Sequence, residues 1–186
     1  MSSEGKIDKF VRWFRLESET LWGMPSVDAA ELVSDRLLEI DNRLGIEVER
    51  SFSSPREMVF TAFSNPEVFE LVRDLVRKIG SVSGWKLTAL KPARGFDFSI
   101  TIAGERVRAT DILFRIVDEE GTQIQLTVPG AQPKGAGSDE LAWLLVEGGL
   151  GEELASRITH IEFVSKSFDG TARPIAELEE QIRAFG

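Results

Sequence analysis

The only histidine of this 186-residue chain, His160, stands two positions before Glu162 in an apolar/polar alternating run from Ile158 to Ser165. Ile161 and Phe163 read as the core-facing residues of a strand, which places His160 and Glu162 together on its other face. An imidazole titrates near neutrality, so a general base beside a carboxylate is one reading of the pair. A surface histidine with a charged neighbour is the other. A base without a nucleophile or an orienting group is not a mechanism, and the surface reading is the expectation. Four more side chains could converge with the pair on one polar face: Arg94, Asp97, Arg115 and Gln125.

Other chemistries find less support. A metal needs three or four convergent ligands, and a chain with one His and no Cys offers only carboxylates. Asp118, Glu119 and Glu120 cluster, but at an expected hairpin tip, where they read as a solvated turn. Glu152 and Glu153 are adjacent in a helical turn, so their side chains diverge. Lys134 to Ser138, KGAGS, precedes a helix as a phosphate loop would. It lacks the P-loop residues, and Asp139 and Glu140 would repel a phosphate, so a loop ending in an N-cap is expected. No metal or cofactor site is expected. Arg94-Gly95 could aim a guanidinium at a carboxylate, or it could simply turn a corner after Pro92.

These residues must be positioned by a sheet, and the alternation supplies one. Residues 1–50 carry helical spacing first: Ile7, Phe10, Val11, Phe14 and Leu21, widened by Trp13, Leu16 and Trp22. Gly23 and Pro25 end that helix. A second, with Ser26 as its N-cap and Asp28 in its first turn, runs on Leu32, Val33, Leu37, Ile40 and Leu44 to Gly45. Alternation then begins at Ile46, Val48 and Phe52, and Met58 to Phe63 reads as a more central strand. Asn65-Pro66 opens a third helix that Gly80 closes.

The stretch Gly84 to Phe98, GWKLTALKPARGFDF, organises the remainder of the chain. Trp85, Leu87 and Ala89 alternate with Lys86 and Thr88 until Pro92 stops the strand. Phe96 to Ile102, Ile112 to Ile116 and Gln123 to Val128 continue the pattern, with turns at Ala103-Gly104 and Asp118 to Gly121. The Gly- and Pro-rich loop from Pro129 to Gly137 reads as mobile. An apolar helix from Ser138 is expected to break at Gly148-Gly149, and a last helix, Pro174 to Phe185, to bury Ile175, Leu178, Ile182 and Phe185. The fold expected is one α+β domain over 1–186. Residues 1–44 form a helical hairpin, and 45–186 a two-layer arrangement in which helices cover one face of a mainly antiparallel sheet of about six or seven strands. Lys86, Asp97, Ser99, Thr101, Arg115, Gln123, Gln125, His160 and Glu162 are expected on its uncovered face.

Formal net charge is -9, with 7 basic and 11 acidic residues in 1–50, 10 of each in 51–130, and 5 and 10 in 131–186. No basic footprint for nucleic acid or for an anionic membrane surface is visible. With no cysteine, no signal-like start and no long apolar run, a cytoplasmic location is expected.

Two stretches, GWKLTALKPARGFDF and LLVEGGLGEELASRITHIEF (Leu144 to Phe163), carry a resemblance. The chain resembles a family of bacterial cytoplasmic proteins marked by a Trp, a strand, Pro-x-Arg-Gly-x-Asp-Phe, and later Leu-Gly-Glu and Ile-Glu-Phe. Here these are Trp85, Ala89, Pro92, Arg94, Gly95, Asp97, Phe98, Leu150, Gly151, Glu152, Ile161, Glu162 and Phe163. The resemblance implies an α+β fold and a bacterial source, and no reaction. The functional expectation is a non-enzymatic regulatory module, adaptor or immunity-like inhibitor that binds another, basic protein. The alternatives are a small enzyme or ligand-binding domain using Arg94, Asp97, His160 and Glu162, and a homo-oligomer joined through the N-terminal helices.

Overall fold

The computed structural model describes residues 3–52, 54–102, 104–129, 138–164 and 170–185. The chain divides into two compact units, Met1–Lys91 and Pro92–Gly186, each with its own core. The boundary falls inside the stretch 84–98, where Pro92 was expected to stop a strand. The α+β class and the N-terminal helical pair are present, and four of the six strand pairings among the described residues are antiparallel. The single sheet of six or seven strands is not: among the described residues the strands form sheets of three, two and four.

In the first unit, α1 (Ser3–Gly23) and α2 (Ser26–Leu38) precede β1 (Gly45–Val48), β2 (Arg56–Thr61), α3 (Phe69–Ile79) and β3 (Trp85–Ala89), with β2 central in the order β1-β2-β3. Phe10 and Phe14 of α1 meet Phe60 of β2 edge-on, at 6.3 and 6.2 Å between ring centres. Asn65 accepts a hydrogen bond from the Glu67 amide at 3.0 Å and opens the helical segment with Pro66, as its sequence indicates. Several local expectations are corrected. Leu16 is 76% exposed, off the core stripe. Ser26 is the first residue of α2 rather than its cap, and Pro25 holds the cap position. Gly45 opens β1 because α2 stops at Leu38, after which Asp41 and Arg43 organise the turn.

Phe52, expected in a strand, lies in the β1–β2 connection with its ring 4.7 Å from the Arg56 guanidinium carbon. Arg56 is fully buried. It donates to the carbonyls of Trp22 and Met24 at 2.9 and 2.8 Å, acceptors at the end of α1, and to that of Glu49 after β1 at 3.1 Å.

In the second unit, β4 (Ser99–Ile102) and β5 (Glu105–Arg108) form the two-stranded sheet; β5 has no clear alternation and was not anticipated. β6 (Leu113–Ile116), β7 (Gln123–Thr127), β8 (His160–Phe163) and the two-residue β9 (Arg173–Pro174) form the other, in the order β8-β7-β6-β9. Phe114, Ile124, Leu126 and Ile161 bury one face of it with α4 (Ser138–Leu150), α5 (Glu152–Ala155) and α6 (Leu178–Ala184). Ile175, Leu178 and Ile182 are buried as expected; Phe185 is 49% exposed, over Gly121. The expected Ala103-Gly104 turn involves residue 103, and the phosphate-loop reading falls on 134–137. Both lie outside the described residues, as does most of the Pro129 to Gly137 loop.

The expected break at Gly148-Gly149 does not occur: α4 runs through both glycines to Leu150. A Cβ on Gly149 would stand 2.1 Å from the Phe96 ring, so the position must be bare for Phe96 to pack. The adjoining backbone locks the same contact. The Arg94 and Gly95 amides donate to the Gly148 and Gly149 carbonyls at 3.2 and 3.0 Å, satisfying acceptors at the end of the helix. Gly95 has φ +69°, which its neighbours could adopt only with strain.

Gly149→Ala separates two effects of opposite sign. In an open helix interior the change would gain up to about 1 kcal/mol; against the Phe96 ring it is expected to cost about 1–3 kcal/mol by overpacking. Urea unfolding of Gly149→Ala, alone and with Phe96→Leu, measures this. The penalty should shrink or reverse in the double variant, and a stabilised single variant would contradict the packing.

Candidate functional site

The four-stranded sheet has a second face, and three of the six candidate residues meet there. Register pairs Arg115 with Gln125 across β6–β7, and Gln125 with Glu162 across β7–β8. Residues opposite one another on adjacent strands point the same way, so the three side chains form one row across the sheet. Arg115 donates from Nε and Nη2 to Gln125 Oε1 at 2.9 and 2.6 Å. Gln125 Nε2 donates to Glu162 Oε1 at 2.7 Å. The cation and the anion fix the orientation of the amide between them, oxygen toward the guanidinium and nitrogen toward the carboxylate. All three are half-buried, a setting in which hydrogen bonds to charged groups are worth about 1.5–3 kcal/mol each.

His160 lies beside this row. It is exposed and pairs in register with Gln123, also exposed, one strand across. It shares its face with Glu162, as the alternation indicated, but the Glu162 carboxylate is engaged by Gln125 rather than by the imidazole. Arg94 and Asp97 are not part of the row. Both are exposed on the coil before β4, and no hydrogen bond or ion pair links either side chain to the other four residues. What Arg94 contributes is its backbone amide, to the end of α4. The nine-residue polar face expected from the alternation is distributed over three sheets. Lys86 lies on β3 in the first unit, where it pairs with Glu57 at 2.8 Å; Ser99 and Thr101 lie on β4 and Asp97 just before it; the remaining five, Arg115, Gln123, Gln125, His160 and Glu162, lie on the four-stranded sheet.

The hairpin that sets this register is closed by Asp118. Its carboxylate accepts from the Thr122 amide at 3.0 and 3.1 Å, the Thr122 hydroxyl at 2.6 Å and the Gln123 amide at 2.8 Å. Asp118 was expected to be a solvated turn residue and is instead the turn's organiser. Burial acts to raise its pKa, but the bonds from Thr122 and Gln123 to the ionised form outweigh it, and the net shift is below the ordinary 3.8. Glu152 is fully buried and Glu153 exposed, so that pair diverges as expected. Among the described residues no group of three His, Asp or Glu side chains is placed to hold a metal ion. Among the same residues no helix is long and apolar enough to cross a membrane.

A concave feature in the first unit went unanticipated. Lys6, Lys9, Phe10 and Trp13 on α1 and Arg36 and Glu39 at the end of α2 line a cleft of about 160 Å³. The signal was present in the sequence: positions 6, 9, 10 and 13 share one helix face, so two lysines stand beside two residues assigned only to the core stripe. Glu39 accepts from Lys9 Nζ at 2.8 Å and Arg36 Nη1 at 3.0 Å. Those two bonds, Lys9 first, hold its pKa below the ordinary value. The Arg36 guanidinium stands 5.4 Å from the Trp13 ring centre.

Comparison with known proteins supplies no relative: no family model, no curated protein and no solved structure matches the chain.

The Asp118 geometry sets a pH dependence. A lowered folded-state pKa contributes stability that is fully present above the ordinary carboxylate range and lost as pH falls through the folded value. The gap in urea midpoint between the native protein and Asp118→Asn should therefore stay constant from about pH 8 to about pH 5 and narrow below about pH 4. A gap that persists unchanged down to about pH 2 would show that the carboxylate charge is not what closes the hairpin.

Proposed function

We propose that this chain is a non-enzymatic protein-binding module, and that the polar face of the four-stranded sheet meets a basic protein partner. The observation that carries the reading is the Arg115–Gln125–Glu162 row. Its side chains are tied to one another across three strands, so a partner would meet groups already held in place and would lose little side-chain entropy on docking. Catalysis by Glu162 would first have to break that row. Charge favours the same occupant. Residues 92–186 hold 9 basic and 16 acidic side chains, against 13 and 15 in 1–91, so the unit that carries the row also carries most of the negative excess. Regulation, adaptation and inhibition of a partner all fit this reading, and the resemblance to bacterial cytoplasmic proteins is compatible with each.

Site-specific photo-crosslinking in the cells that make the protein tests the proposal. A photoreactive residue in place of His160 or Gln123 should give a discrete adduct with one basic protein. The same group in place of Glu180, on α6, should not. Absence of any adduct from the sheet positions, or the same adduct from position 180, would refute the assignment of this face.

A further inference from the structure

We propose that the cleft between α1 and α2 binds a small monocarboxylate whose apolar body is about the size of one aromatic ring. The inference is independent of the sheet face and rests on size, lining and charge. The cleft is open to solvent on one side and has a volume of about 160 Å³, similar in size to the roughly 150 Å³ enclosed cavity that accepts a benzene molecule in an engineered protein. Phe10, buried, and Trp13, half-buried, present ring surface to it, with their ring centres 5.6 Å apart. Three cations, Lys6, Lys9 and Arg36, stand around this apolar lining with one carboxylate, Glu39. A local excess of two positive charges therefore sits in a chain whose net charge is -9.

The donors for an incoming carboxylate are in place. Lys6 makes no hydrogen bond or ion pair among the described residues. It acts weakly on Asp41, whose carboxyl is already bound by the Arg43 side chain and amide and held at about 2. Lys9 gives one of its three N–H groups to Glu39, and Arg36 gives Nη1. A carboxylate at the cleft mouth can thus be met by Lys6 and by the remaining Lys9 donors without displacing Glu39. Because Glu39 stays in the wall, a monoanion is favoured over a dianion. The nearby carboxylates of Asp8 and Glu4 are directed to Lys78, at 3.5 and 3.9 Å. An apolar ring alone would gain only the contact with Phe10 and Trp13, and a short carboxylate alone only the exposed cations, so each half is expected to bind far more weakly than the whole.

The test is an NMR titration of the full chain at constant ionic strength, following the Trp13 indole N–H, identified by its loss in Trp13→Phe. Benzoate is the probe; benzamide and acetate keep one half of it each. Benzoate should shift the Trp13 signal saturably with a dissociation constant of about 1 mM, and benzamide and acetate should bind at least about tenfold more weakly. Lys6→Ala should weaken benzoate about threefold to tenfold with no change in thermal midpoint, because its side chain is neither core nor paired. Equal binding of benzamide and benzoate would overturn the anion site. No saturable shift up to about 20 mM benzoate would overturn the site altogether. Unchanged affinity in Lys6→Ala would remove the assigned role of the rim.

Discussion

Register in the four-stranded sheet is the constraint on which the proposed surface rests. Arg115, Gln125 and Glu162 make one row only because β6, β7 and β8 align them residue for residue. The period along a strand is two, so a slip by one residue would carry the whole row into the core and bring Phe114, Ile124, Leu126 and Ile161 out of it. Burial of those four apolar side chains therefore specifies the polar row on the other face. Asp118 reinforces the register from the turn, by holding the amides of Thr122 and Gln123 at the start of β7. The amide of Gln125 then couples a cation to an anion that are two strands apart.

Each unit also contains one contact in which a side chain and a neighbouring backbone must agree. In the second unit, Phe96 packs on the bare Gly149, while the amides of Arg94 and Gly95 close the end of α4. Residues 94–96 and the Gly148-Gly149 pair, distant in sequence, are thus two sides of one contact. In the first unit, Arg56 is buried with no carboxylate bonded to it among the described residues and is held by carbonyls from Trp22, Met24 and Glu49 under the Phe52 ring. It ties the end of α1 to the start of β2, a role that charge pairing alone would not suggest.

Elements governed by strong periodicity or cap chemistry were legible in the sequence. The α3 segment opened by Asn65-Pro66, the β6–β7 hairpin, and the shared face of His160 and Glu162 come from local pattern. The partition into sheets did not, because alternation reports which way a side chain points and carries no information on which strands pair. Lys86 and Arg115 both alternate correctly and belong to different units. Gly149 was misread for a related reason: a glycine in a helical run is a breaker locally, and only the tertiary approach of Phe96 turns it into a requirement. The row was half visible. Its residues could be named, but the bonds among them depend on strand pairing; Asp97 was grouped with them on alternation that the coil before β4 does not obey, and Arg94 on the direction that a Gly-flanked corner could give its guanidinium. The Lys6–Trp13 cleft was hidden because Phe10 and Trp13 already had a sufficient explanation as core.

The central claim is that the polar row is pre-ordered before any partner arrives. Nitrogen-15 relaxation of the Gln125 side-chain amide in the free protein measures this directly, with the exposed Gln123 on the same strand as internal reference. An order parameter near that of rigid backbone, about 0.8, for Gln125 and below about 0.6 for Gln123 is the predicted result. Equal mobility of the two amides would contradict the account, since the row would then be no more than a set of independent surface side chains.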